Sequence, residues 1–182
     1  MKSVLISIRP QWCEKIASGQ KTIEVRKTAP QEVPFKAYIY CTKEKKQDDI
    51  IWAGIFGDRG KWNGRVIGEF ICNNASELDY VYYWNNGYEF ATCLTYRQVA
   101  DYGKGKTLYG WHISDLKIYD KPKELSEFKK TKERIARTCG MQARNGLCCA
   151  IDHEELCDYI KCCFKTPCPP QSWCYVEELQ EK

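Results

Sequence analysis

"GQKTIEVRK", residues 19–27, sets Ile23 and Val25 in alternation with Thr22, Glu24 and Arg26, and brackets them with Lys21 and Lys27. A period of two is the pattern of a half-buried strand. Read on spacing alone, Thr22, Glu24 and Arg26 share one face. A carboxylate two residues from a guanidinium on that face forms either a solvated ion pair or part of a site that holds an anion or moves a proton.

The residues around this strand place it. "KSVLISIRP" reads as a strand with Val4, Ile6 and Ile8 on one side, and Pro10 suits the first turn of a helix because its missing N–H needs no partner there. "PQWCEKIAS" fits a short helix, and Gly19 can end it in the left-handed conformation. "KAYIYCTK" predicts a further strand, with Ala37, Ile39 and Cys41 alternating against Tyr38 and Tyr40. "RVIGEFICN" and "LYGWHISDLKIYD" predict two more strands, and "TYRQVADYG" a short helix capped by Thr95 and ended by Gly103. Short strands with turn signals at this density predict an α+β chain. The expected fold is a small, closed or nearly closed β-barrel over 1–120 with short helices at its ends.

Residues 121–170 change character. "KPKELSEFKKTKERIAR" (121–137) has seven basic and three acidic residues, an excess of four that equals the whole formal charge of +4. Its Leu125, Phe128, Ile135 and Ala136 suit an amphipathic surface helix, and its charge suits an RNA-contacting one. Eight of the twelve cysteines then fall between 139 and 174. A structural zinc held by four of Cys139, Cys149, Cys157, Cys162 and Cys168 would let such a segment fold; free buried thiols, or disulfides formed on exposure to air, are the alternatives. Cys13, Cys41, Cys72 and Cys93 read as small core residues. "SWCYVEEL" returns to strand, so 121–170 reads as an insertion and 171–182 as the last strand of the barrel. No run is long and apolar enough for a signal peptide or a bilayer span, so the expected compartment is the cytoplasm, without membrane contact.

"SIRPQWCEKIASGQKTIEVR" resembles the N-terminal signature of the ASCH family of the PUA-like superfamily: a strand ending in a basic residue and proline, a helix with an aromatic near its start, then Gly-x-Lys-Thr-x-Glu-x-Arg. "RVIGEF", "YGWHISDLKIYDKP" and "PPQSWCYVEE" resemble later strands of prophage-borne members. The resemblance implies a PUA-like barrel whose cleft binds single-stranded RNA or a modified nucleotide. It places Arg9, Trp12, Lys21, Thr22, Glu24 and Arg26 at that cleft. It also implies an enzymatic alternative, a nuclease or nucleoside hydrolase with Lys21 and Glu24 as acid and base. Related amidohydrolases of acylated cytidine carry a nucleophilic threonine where Glu24 stands, which argues against amide cleavage. His112, among apolar neighbours, reads as a hydrogen-bonded core residue ahead of a catalyst. A third reading is a phage-encoded factor that contacts another protein through the cysteine-rich insertion. The aromatic run "LDYVYYWNNGYEF" (78–90) suits a barrel mouth or base stacking.

Overall fold

The computed structural model describes residues 1–43, 59–78, 87–131 and 169–179. Strands β1 (Lys2–Ile8), β3 (Phe35–Cys41), β4 (Val66–Cys72), β7 (Ser114–Lys123) and β8 (Trp173–Val176) form one sheet in the order β7-β4-β3-β1-β8. Strands β2 (Ile23–Arg26), β5 (Ala75–Glu77) and β6 (Tyr109–His112) form a second, in the order β2-β6-β5. Among the described residues four short α-helices accompany them: α1 (Pro10–Ala17), α2 (Arg59–Trp62), α3 (Tyr88–Thr92) and α4 (Tyr96–Gly103). The α+β class matches the expectation. The barrel does not: among the described residues the ladders make two sheets and do not close into one.

Strand β1 runs parallel to β3 and antiparallel to β8, so both its edges are paired. A parallel pair needs a long connection, and α1 with β2 supplies it. Burial of both faces explains why β1 is apolar almost throughout. Val4, Ile6 and Ile8 enter the main core, and Leu5 enters a second cluster with Tyr38, Val66, Phe128 and Val176. The alternation in β3 divides in the same way, with Ala37, Ile39 and Cys41 in the first core and Tyr38 and Tyr40 in the second. Trp111 lies at the centre of the main core, fully buried, with its ring 5.0 Å from Phe35 and 5.6 Å from Trp173.

The helix ends follow local chemistry. Pro10 opens α1, and Gly19 follows its cap at φ +74°, a backbone that few side chains adopt without strain. Thr95 caps α4 through a reciprocal pair with Gln98.

Two further expectations are corrected. "LYGWHISDLKIYD" is two strands: β6 belongs to the small sheet and β7 to the large one. Between them Ile113 donates its N–H to the Thr22 carbonyl at 2.9 Å, and the core-facing side shifts from Ile113 to Leu116 across Asp115, at φ +48°. The basic stretch from 121 is not helical over its described part. Pro122 disfavours a helical residue before it, β7 continues to Lys123, and only a single 3-10 turn (Leu125–Glu127) follows. Phe128 then packs on Tyr38 with ring centroids 5.0 Å apart. Residues 132–168, with Cys139, Cys149, Cys157, Cys162 and Cys168, lie outside the described residues, as does 79–86 of the aromatic run. Cys13, Cys41 and Cys72 are buried free thiols, whereas Cys93 is half-buried.

Burial pushes the Cys72 thiol up from 9.0 to about 11. Burial, aided by the neighbouring Cys41, pushes Cys13 above 9.0, and burial raises the Tyr38 and Tyr40 phenols above 10.0. The folded state therefore holds protons that the unfolded chain releases. The resulting stability is fully present below pH 9.0 and is lost as pH rises toward about 11. Urea midpoints measured across this window should fall, and Cys72→Ala should flatten part of the fall. A midpoint constant from neutral pH to pH 11 would contradict the burial of these groups.

Candidate functional site

Strand β2 is four residues long and buried on both faces. It lies antiparallel to β6, with Glu24 opposite Trp111 and Val25 opposite Gly110. A side chain at Gly110 would meet Leu78 Cδ2 at 2.9 Å and Ile23 Cγ2 at 3.0 Å, so those side chains pack closely over the glycine.

The charges of the motif are inside the protein, not on a solvated face. Lys21, Glu24 and Arg26 are 2%, 6% and 7% exposed. Arg26 Nη2 lies 3.0 Å from Glu24 Oε1 and donates to the Ser7 carbonyl at 2.6 Å. Lys21 Nζ lies 3.3 Å from Glu24 Oε2 and donates to the Thr92 carbonyl at 2.6 Å. Thr92 ends α3, and its hydroxyl is itself held by the Tyr88 carbonyl at 2.6 Å. Desolvating three charges is expensive, and these two carbonyls from β1 and α3 offset part of it.

The cluster is nevertheless incomplete. Two cations face one anion, an excess of one positive charge. Arg26 Nε and Glu24 Oε2 are buried and make no hydrogen bond. The Lys21 contact to Oε2 is within ion-pair distance but lacks hydrogen-bond direction, so it neutralises charge without satisfying that oxygen. Buried polar atoms in this state are uncommon, and a water, an ion or a ligand can complete such a network.

The triad forms the floor of a cavity of about 1070 Å³, which Arg9 and Trp12 also line. Arg9 is exposed, and Trp12 is half-buried, with Lys21 Nζ 5.4 Å from its ring centroid and Lys15 Nζ at 5.9 Å. Of the six residues expected at a cleft, five therefore meet at one cavity. Thr22 does not line it. The strand begins at Ile23, so the period of two stops there; Lys21 turns onto the Glu24 face and Thr22 is left exposed. His112 does not line the cavity either, and pairs with Ile23 in the small sheet.

The cavity has walls that the motif alone did not indicate. Leu94, Gln98 and Tyr102 contribute from α4 and its approach. Their spacing of four marks one helical face, which is the signal that could have found them. Leu125 and Ser126 contribute from the 3-10 turn, and Pro170 and Gln171 from the segment before β8. That segment is fixed by Ser7, whose hydroxyl donates to the Pro170 carbonyl at 2.6 Å.

Among the described residues no three His, Cys, Asp or Glu side chains gather as a metal would require. No helix among them is long and apolar enough to cross a membrane.

No family model and no curated protein matches the chain. Solved structures do. The ASCH protein of Zymomonas mobilis aligns over 97% of this chain and 89% of its own, with 18% identity and a TM-score of 0.56. A point variant of that protein aligns over 98% and 92%, with the same identity and TM-score. Two sheets, a short helix that leads into a charged buried strand, and this likeness give one conclusion: the chain has an ASCH-type fold.

Proposed function

We propose that the cleft binds single-stranded RNA or a modified nucleotide. The observation that carries this reading is the buried Lys21–Glu24–Arg26 cluster, with its excess positive charge and two unsatisfied polar atoms, at the floor of a cavity that also holds Trp12. Lys21, Arg26 and the exposed Arg9 supply donors for phosphate or carbonyl oxygens. Glu24 accepts from an exocyclic amine or ring N–H, and an indole face stacks a base. RNA binding by the ASCH-type fold in general agrees with this chemistry.

The test uses cleft residues whose loss leaves the buried triad intact. Filter binding of a mixed-sequence single-stranded RNA should show affinity falling with salt. Arg9→Ala should reduce the salt slope by about one, and Trp12→Ala should weaken binding by about 1–3 kcal/mol. If both variants bind as the parent does, the cleft is not the binding site.

A second reading, a nuclease or nucleoside hydrolase, draws on the Lys21 ammonium 3.3 Å from the Glu24 carboxylate, which is a possible acid and base pair. The same RNA and a set of acylated nucleosides, incubated with parent and Glu24→Gln, separate the readings. Turnover by the parent alone would favour the enzyme. Equal background would leave the binding role, which fits a carboxylate standing where related hydrolases place a nucleophilic threonine.

A further inference from the structure

We propose that the cleft takes a linear strand of at least two nucleotides, one base on Trp12 and a second on Tyr102, in preference to a single nucleoside. This rests on the nucleic-acid reading above and names the ligand class within it.

Two aromatic rings line the cavity from different helices, Trp12 from α1 and Tyr102 from α4. Each is tied to a different end of β2. Lys21, just before the strand, sits 5.4 Å from the Trp12 ring; Lys27, just after it, sits 4.9 Å from the Tyr102 ring. Five residues lie between these lysines, and the four of β2 span about 13 Å. The two rings are therefore tied to opposite ends of β2, Trp12 by the buried Lys21 and Tyr102 by the exposed Lys27. Tyr102 keeps 38% of its surface exposed, which leaves part of its ring open to a ligand.

The floor between the rings suits what joins two bases. It carries one excess positive charge, and Arg26 Nε is a donor without a partner. A phosphodiester brings one negative charge and acceptor oxygens, whereas a nucleoside brings no charge. Size points the same way. The cavity, at about 1070 Å³, exceeds the roughly 300–1000 Å³ that encloses a drug-sized ligand.

The test compares ligand lengths on the whole protein. Uridine and cytidine 5′-monophosphates, and the corresponding RNA tetramers, compete against a labelled single-stranded RNA. Tetramers should bind at least about tenfold more tightly than the mononucleotides, since one added stacked base contributes about 1–3 kcal/mol. Tyr102→Leu, which keeps a helix-compatible apolar side chain, should lose about tenfold on the tetramers and leave mononucleotide binding within about twofold. Tyr102→Phe should restore tetramer binding. Mononucleotides that bind as tightly as tetramers, or tetramers indifferent to Tyr102→Leu, overturn the two-base arrangement while the nucleic-acid reading stands. Failure of the parent to bind any of these probes overturns the nucleic-acid reading itself.

Discussion

Replacing Glu24 by alanine is expected to destabilise the fold by about 3–5 kcal/mol, the range for removing one partner of a buried ion pair. Lys21 and Arg26 would remain, both under 10% exposed and now without their shared anion. Their carbonyl partners, Thr92 and Ser7, satisfy hydrogen bonds but supply no counter-charge. The loss should appear as a lower urea midpoint with little change in slope. Glu24→Ala combined with Lys21→Met should recover part of it, because only one uncompensated cation then stays inside. A double-mutant cycle measures that coupling. A loss under about 1 kcal/mol for Glu24→Ala would mean that water reaches the triad and that it behaves as a surface pair.

Trp111→Ala should be comparably severe, also about 3–5 kcal/mol, for a different reason. Trp111 is fully buried between Phe35 and Trp173, so alanine leaves a void bounded by strands of both sheets. Because β6 holds Trp111 opposite Glu24, on the same face of the small sheet, the void would also lie beside Glu24. Trp111→Phe should lose less. It keeps an aromatic edge against Phe35 and removes an indole N–H that has no partner among the described residues. Equal losses for the two variants would show that shape, not buried area, governs this position.

These two residues also show what was legible in the chain. The strands Phe35–Cys41 and Val66–Cys72, the Pro10 start of α1 and the Thr95 cap of α4 follow from alternation and local hydrogen-bond chemistry, which act over a few residues. Five of the six expected cleft residues follow from the resemblance of 7–26 to a known signature. The burial of the charges did not follow from spacing. Lys21 and Arg26 are tolerable inside only because Thr92, 71 residues on, and Ser7, 19 residues back, turn carbonyls toward them. Nothing within β2 encodes those partners. The sheet change at Ile113 was hidden because no glycine or proline marks it: residues 111–121 contain neither. Tyr102 was missed because attention to the motif strand overlooked a helix face spaced by four. The barrel was too strong an inference: local strands fix pairing within a sheet, while closure depends on how distant sheets meet.

The pairing of β1 with β8 carries a consequence for the order in which the molecule is made. Ser3 faces Val176 and Ile6 faces Trp173, so one edge of β1 must wait until residues 173–176 are synthesised. At about 5–20 residues per second, that edge stays open for roughly 10–30 s. The cleft wall at Pro170 and Gln171, held by Ser7, arrives just ahead of β8. On the ribosome the charged floor therefore precedes its enclosure. The nascent protein gains this wall of the cleft only once residues 170–176 have been made.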